Sequence, residues 1–518
     1  MSAEKGSNAG KGVTRRRTES WGTEDRGECT HTRVPLITIS ESSLKVPFYR
    51  RVTAVMLPDN VLLEIFNFYL DETQSLDGWH PLVHVCRSWR HVVFSSPRRL
   101  NLRLYCTERR PVRTMLNVWP ALPIVIWNTG NVGPMSLLES VDNIIAALEH
   151  NDRVYEINLG VVPGWLLERL ATVMQEPFPV LTSLALWSDE ERAPVPPDSF
   201  SSGSAPRLRS LRLDNMPFPI FRRLPLVASD LVDLRLWDIP DSGYISPEAM
   251  VDCLAALTKL QTVDIEFHSP RSRPNRTNRR PPPLTRVVLP ALASCRFQGV
   301  SEYLEDFVAQ IDVPLLNDFA VTFFHQLIFS NPKTLLFISR AENIKIRESD
   351  QATVVFSGNL VVVRLSQHIE TVNHTGLSIT ISCTHSDWQL SALAQVCVTA
   401  LRDLSTLERL EIREERRWPP IWHDDMEMAQ WLELLQPFTA VKDLYLSKDV
   451  ALRVAPFLQE LTRERVVEVL PSLKNLLLEE PQTSGPIQEA IGHFVTMRHL
   501  NGHSVTIHNW ERGKGPYD

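Results

Sequence analysis

The chain has 518 residues and carries 54 Lys and Arg against 61 Asp and Glu, a net charge of −7 with histidine neutral. That balance argues against a nucleic-acid-binding protein, whose footprint is a basic surplus. No run of 18 apolar residues occurs, so no membrane-spanning helix is expected. The N-terminal stretch lacks the apolar core of a secretory signal. Seven cysteines with no C-x-x-C pair point to reduced thiols and a cytoplasmic and/or nuclear setting. Residues 1–50 are rich in Gly, Ser, Thr and charge without an apolar period, and are expected to form a disordered tail. Arg15-Arg16-Arg17 could belong to a nuclear address, but three arginines in a solvated tail are a weak signal for one. Residues 6–12 resemble a phosphate loop superficially. The spacing is one residue short, and Gly12 stands where Ser or Thr must reach magnesium.

Residues 51–100 read as a small helical module. Leu57-Pro58-Asp59 opens a helix in which Leu62, Ile65, Phe66 and Tyr69 fall at i, i+3, i+4, i+7. Pro58 suits the first helical position and Asp59 the positive end of the helix dipole. Leu82, Val85, Cys86, Trp89 and Val93 repeat that spacing, and Pro97 ends the last turn. The Leu-Pro start, the aliphatic helix ending in Ile65-Phe66 and the run Val85-Cys86-Arg87-Ser88-Trp89-Arg90 together resemble an F-box. The linker 71–78 is longer and more polar than in the tightest examples. The resemblance covers about 45 residues. It implies a three-helix module that docks onto a Skp-family adaptor, and through it onto a cullin scaffold, by way of Leu57, Pro58, Leu62, Ile65, Phe66, Val85 and Trp89. A unit of this size buries little core alone, so some of its apolar side chains need a second surface.

From residue 101 to 518 the pattern changes. Residues 100–104 alternate like a strand, 111–119 read as a helix and 122–127 as a buried strand. A template L-x-x-L-x-L then recurs at Val154-Ile157-Leu159, Leu181-Leu184-Leu186, Leu208-Leu211-Leu213, Leu231-Leu234-Leu236, Leu260-Val263-Ile265, Leu292-Cys295-Phe297 and Leu316-Phe319-Val321. Later copies are Leu407-Leu410-Ile412, Val441-Leu444-Leu446 and Leu473-Leu476-Leu478. The first seven end at spacings of 27, 27, 23, 29, 32 and 24 residues. An irregular period near 27 is the mark of a leucine-rich-repeat-like solenoid, in which each strand and return helix buries its apolar face only against its neighbours. The fold class expected is α/β: a small three-helix F-box module followed by an irregular leucine-rich-repeat-like solenoid. The solenoid should run unbroken from about 120 to 510 as one curved body, with strands on the concave side.

Between 331 and 382 the repeat blurs. Residues 352–356 and 360–365 read as strands joined by Ser357-Gly358-Asn359, a hairpin signal. Degenerate repeats and a hairpin insertion both remain open there. The segment 268–285 holds the Arg- and Pro-rich run 271–283 and is expected to be a solvated, basic loop. Residues 487–497 suggest a final helix and 504–507 a capping strand.

Catalytic patterns are missing: there is no G-x-S-x-G, H-E-x-x-H, G-x-G-x-x-G or zinc-spaced cysteine pair. His423-Asp424-Asp425 with Glu427 is better read as the charged first turn of a helix than as a metal site. No catalytic residue, cofactor or metal is therefore expected. Strand alternation sends the positions between the leucines outward together. These include Ser183, Ala185, Trp187; Ser210, Arg212, Asp214; Asp233, Arg235, Trp237; and Thr262, Asp264, Glu266. Trp187, Arg212, Arg235 and Trp237 are the candidate contacts to an unknown protein target, since Trp and Arg dominate binding hot spots. The opposite expectation is that the arginines pair with Asp214, Asp233 or Asp264 and the tryptophans pack under a loop. The resemblance thus implies a substrate-recognition subunit of an SCF-type ubiquitin ligase that catalyses nothing itself. The alternative is a solenoid scaffold outside ubiquitin chemistry whose F-box-like helices only cap the repeats. Limited proteolysis checks the architecture. First cuts are expected before Arg50 and within 271–283, and early cleavage inside 231–236 would break the continuous solenoid.

Overall fold

The computed structural model describes residues 57–518, excepting 74–76, 108–111, 129–136, 163, 189–203, 218–223, 275–284, 325–331, 342, 345–350, 367–375, 384–385, 400, 423–427, 462–464, 480–484 and 512–518. The expected tail, the His423 cluster and most of the basic loop lie outside the described residues.

Three helices come first: α1 (Asp59–Thr73), α2 (His80–Val85) and α3 (Arg87–Ser95). The Pro58 carbonyl accepts the amides of Val61 (2.9 Å) and Leu62 (3.1 Å), which nucleates the first turn. The spacing from Leu82 to Val93 suggested one second helix. The chain instead breaks at Cys86, whose backbone is extended at φ −159° and ψ 171°. The Cys86 sulfur accepts the Trp89 amide at 3.4 Å and caps α3. Two short helices therefore replace one, and three build the module.

The sheet follows. Its first half holds β1 (Leu104–Thr107), α4 (Val112–Val118), β2 (Ile124–Asn128), α5 (Leu137–Leu148), β3 (Val154–Leu159), α6 (Gly164–Val173), β4 (Ser183–Trp187) and β5 (Ser210–Asp214). Next come α7 (Leu224–Val227), β6 (Asp233–Ile239), α8 (Pro247–Ala255), β7 (Thr262–Phe267), β8 (Val287–Val288), β9 (Ser294–Gly299), α9 (Ser301–Val308), β10 (Ile311–Asp312) and β11 (Asp318–Phe324). After α10 (Pro332–Arg340) stand β12 (Gln351–Phe356), β13 (Leu360–Ser366), β14 (Gly376–Ser382) and α11 (Ser386–Thr399). The chain closes with β15 (Arg409–Glu414), α12 (Met428–Leu435), β16 (Asp443–Leu446), α13 (Lys448–Glu460), α14 (Arg465–Glu468), β17 (Asn475–Glu479), α15 (Pro486–Leu500) and β18 (Thr506–Trp510). Sixteen of these strands form one sheet in the order β1-β2-β3-β4-β5-β6-β7-β9-β11-β14-β13-β12-β15-β16-β17-β18; β8 and β10 pair separately.

All ten copies of the template deliver their last two apolar positions into strands. Ile157, Leu184, Leu211, Leu234, Val263, Cys295 and Phe319 align in register as one row. Leu159, Leu186, Leu213, Leu236, Ile265, Phe297 and Val321 form the second row, and both rows are buried. The expected strand at 100–104 starts only at Leu104. Residues before it spend their amides locally: Leu100 donates to the Ser96 carbonyl and Leu102 to that of Pro97, with Asn101 at φ 48°. In the blurred region the hairpin wins. β13 runs antiparallel to both β12 and β14, while β14 pairs parallel with β11 and β12 parallel with β15. The sheet thus continues through one reversed strand.

Contacts between repeats also fix helix ends. The buried Glu305 carboxylate accepts the amides of Lys333 (3.0 Å) and Thr334 (2.7 Å) at the start of α10. Near the other end of the sheet, the Arg498 guanidinium is fully buried. It donates to the carbonyls of Val466 (2.9 Å), Val469 (3.1 Å), Leu470 (3.2 Å), Pro471 (3.3 Å) and Leu473 (3.5 Å). This closes the turn between α14 and β17, where Leu470 sits at φ 51°. Arg498→Met should leave several buried carbonyls unpaired, at roughly 1–3 kcal/mol each. The expected result is a lowered thermal midpoint with amide exchange rising first in β17 and β18; an unchanged exchange pattern would remove Arg498 from that role.

Candidate functional sites

The first site is the helical module. Leu62, Leu63 and Phe66 of α1, Leu82 and Val83 of α2, and Val92 and Val93 of α3 are buried. The Phe66 ring lies 4.8 Å from that of Trp89, and Arg90 Nε donates to the Val83 carbonyl at 2.9 Å. This divides the seven residues that the F-box resemblance assigned to an adaptor. Leu62 and Phe66 are buried, and Trp89 is half-buried against Phe66. Those three are the members of the set that the rest of the chain covers, wholly or in part. Pro58 is exposed and Leu57 half-buried. Ile65 and Val85 remain exposed, at 46% and 58%. Two residues join them that the sequence reading passed over, Val61 and Phe68, the latter 68% exposed. Val61, Ile65 and Phe68 fall at i, i+4, i+7, a second apolar stripe on α1. A helix apolar on two faces has two packing partners, and that is the signal that could have found them.

The module also meets the repeats. Trp79 is buried, its indole N–H donates to the Arg103 carbonyl at 3.1 Å, and its ring stands edge-on to Trp119 at 5.2 Å.

The second site is the face of the sheet opposite the leucine rows, along β4 to β9. Arg212 and Arg235 are register partners, as the alternation requires. Trp187, Asp214 and Trp237 also align, so the two tryptophans lie two strands, about 10 Å, apart. The arginines are not free. Arg212 Nη2 pairs with Asp214 at 3.3 Å and Arg235 Nε with Asp233 at 3.1 Å. The Arg212 guanidinium also lies 3.8 Å over the Trp237 ring, a cation–π contact. Trp237 is half-buried beneath it, while Trp187 is exposed. Of the four candidate contacts, Trp187 alone presents an uncovered aromatic surface. The pairing expected as the alternative is what the arginines adopt, with Asp214 and Asp233.

A β-bulge sits at the same place. Between β6 and β7 the register jumps from Leu236↔Ile265 to Ile239↔Phe267, so Trp237 and Asp238 together face Glu266. Asp238 has φ 49°. Its carboxylate lies 3.8 Å from His268 Nδ1. Bulges of this kind re-aim side chains and cannot be read from an alternating pattern.

Electrostatics single out β7. Asp264 is 3% exposed, and its Oδ1 has no hydrogen-bond partner among the described residues. Burial raises its pKa; the facing Trp237 N–H, Arg296 and Arg235 pull it back down. The indole N–H itself is buried without reaching hydrogen-bond geometry. Glu266 is pushed up to about 7 by burial first, then by Asp264, Asp238 and Asp214, against the pull of Arg296. Burial likewise raises Asp214, opposed by Arg212. Among the described residues no group of three His, Cys, Asp or Glu side chains is arranged to hold a metal, and no helix is long and apolar enough to cross a membrane. Cys383 is buried.

No family model matches the chain, and no curated protein does. Among solved structures it is similar to a chain of the Rad7 and Elc1 complex in yeast, at 12% identity, covering 83% of this chain and 91% of that one with a TM-score of 0.30. It is also similar to the leucine-rich repeat-containing protein LegL7 from Legionella pneumophila, at 13% identity, covering 78% and 99% with a TM-score of 0.23.

The raised pKa of Glu266 has a sign. The folded chain holds the Glu266 proton to about pH 7, whereas an exposed glutamate releases it near 4.5. The folded state therefore binds more protons in that window, and stability falls as pH rises through it. Glu266→Gln should raise the thermal midpoint relative to wild type at pH 8 and leave it nearly equal at pH 4.5. A difference that does not grow between those pH values would refute the assignment.

Proposed function

We propose that the chain is the substrate-recognition subunit of an SCF-type ubiquitin ligase: the helical module binds a Skp-family adaptor, and through it a cullin scaffold, and the sheet face holds a protein target. The observation that carries this reading is the uncovered apolar stripe of Val61, Ile65 and Phe68 on α1, with Val85 of α2 also exposed, on a module whose Leu62, Leu63, Phe66, Leu82, Val83, Val92 and Val93 are buried. Side chains of that size contribute roughly 1.5–3 kcal/mol each when buried, so leaving four of them in water favours a partner. The module resembles an F-box in the residues that frame the stripe: Leu57-Pro58, Ile65-Phe66 and Val85-Cys86-Arg87. The chain contributes position and not chemistry, since holding a target beside an activated ubiquitin carrier raises its effective concentration.

A second reading is a scaffold whose first helices cap the repeats. The buried Trp79 and its contacts with Arg103 and Trp119 favour a capping role, and that role is compatible with adaptor binding as well.

Co-expression with a Skp-family adaptor separates the two. Ile65→Asp with Phe68→Asp should abolish co-purification at an unchanged thermal midpoint, because both side chains are exposed. Leu62→Asp should instead unfold the module, because Leu62 is internal. Undiminished adaptor recovery by the exposed double variant would reject the ligase reading and leave the scaffold.

A further inference from the structure

The sheet face from β4 to β9 balances most of its own charge and leaves one excess. Asp214 is paired with Arg212, and Asp233 takes both Arg235 and the Ser210 hydroxyl. Asp318 takes the Ser294 hydroxyl at 2.8 Å and lies 4.0 Å from Arg296. Every arginine on this stretch is thereby directed to an aspartate on its own or the next strand. Asp264 and Glu266, two apart on β7 and so on one face, form no ion pair with these arginines among the described residues. Asp264 lies in register between Arg235 and Arg296, whose ion pairs go to Asp233 and Asp318; both guanidiniums act on it only through space. Its Oδ1 is buried without a hydrogen bond, the Trp237 N–H facing the group without reaching hydrogen-bond geometry, and a buried oxygen left so is costly, which is the second sign of a missing cation. The bulge brings Asp238 opposite Glu266 and adds a third carboxylate. Beyond it, Trp187 supplies an exposed ring of the kind that packs on the aliphatic stem of a lysine or on a guanidinium.

We propose that this part of the sheet face, centred on Asp264, Glu266 and Asp238 and flanked by Trp187, binds a basic peptide segment by at least one lysine or arginine side chain. The inference rests on the substrate-recognition reading and names the chemistry of its target. A metal ion does not fit, because the described carboxylates and His268 do not converge as a ligand set. A phosphorylated or nucleic-acid ligand does not fit either, because its negative charge would meet the same carboxylates.

The elevated pKa of Glu266 supplies a signature. The groups that act on it are Asp264, Asp238 and Asp214, which raise it, and Arg296, which lowers it; His268 faces Asp238. Binding of a cation should favour the ionised carboxylate, so affinity should fall as pH drops through about 7.

The test uses the purified full-length chain and fluorescent nine-residue Gly-Ser peptides with a central Lys-Arg, Gln-Gln or Glu-Glu pair. Fluorescence anisotropy is read at pH 8 and pH 6. The basic peptide should bind at least tenfold more tightly than the other two at pH 8, and more weakly at pH 6. Glu266→Gln should weaken it about tenfold and flatten the pH response, and Asp264→Asn should weaken it without moving the pH midpoint as far. Glu460→Gln, which removes the same charge from an exposed end of α13, is the control. An equal loss in Glu460→Gln would show a general charge effect and overturn the proposal. So would equal binding of the three peptides by a wild-type chain that still recovers the adaptor. Loss of adaptor recovery with basic-peptide binding intact would overturn only the ligase reading.

Discussion

A strand with leucines on one side and a single return helix has no core of its own. Its apolar face is buried only when the next strand pairs in register, so that leucine lies over leucine. Everything else in the sheet depends on that constraint. The two rows from Ile157 to Phe319 and from Leu159 to Val321 remain aligned across seven strands, although the spacing between copies ranges from 23 to 32 residues. The length variation is absorbed by the return segments. A slip of one residue in any strand would turn its leucines to water, which is why register is strict where connection length is loose.

The same constraint explains how the sheet survives its one reversal. β13 runs against its neighbours, but its side chains still alternate. Val361, Val363 and Leu365 are buried opposite Ile381, Ile379 and Leu377 of β14 and opposite Phe356, Val354 and Ala352 of β12. Antiparallel pairing changes the hydrogen-bond pattern and keeps the face. The apolar row therefore passes through the hairpin and resumes at Leu410 and Ile412 of β15. Ser357-Gly358-Asn359 made the hairpin readable, but the choice between a hairpin and degenerate repeats depended on β14 finding β11 across the intervening residues, a long-range pairing with no local mark.

What could be read from the sequence follows from what is periodic. The ten template copies, the helix ahead of 504–507, and the Arg212–Arg235 and Trp187–Trp237 alignments all follow from periods of 2 and 3.6. The features that escaped are aperiodic. The break at Cys86 is one residue of extended backbone inside a helical pattern. The late start of β1 comes from amides satisfied within the turn before it. The bulge at Trp237-Asp238 adds a residue that alternation cannot foresee. On α1 the helical period marks the stripe of Leu62, Ile65, Phe66 and Tyr69, and Val61, Ile65 and Phe68 form a second. Burial assigns Leu62 and Phe66 to one stripe and leaves the other open, a division that periodicity alone cannot make because both stripes share the helical period.

The two faces of the sheet are governed by different terms. On the leucine side burial is non-directional, and substitutions of similar shape can replace one another along a row. On the open side each arginine is held by a named aspartate at a stated distance, and the pattern is set by which partner each arginine chooses. Arg212 selects Asp214 on its own strand and lies on Trp237; Arg235 selects Asp233 on its own strand. Those same-strand choices take both arginines away from β7. An arrangement in which Arg235 crossed to Asp264 would neutralise β7 and expose Asp233 instead. The hydroxyl of Ser210 holds Asp233 from the other side at 3.2 Å, which keeps that carboxylate where Arg235 can reach it within its own strand. The excess negative charge at Asp264 and Glu266 is thus a consequence of local pairing one strand away, and it places the least compensated carboxylates of this stretch beside the bulge, where the sheet is least regular.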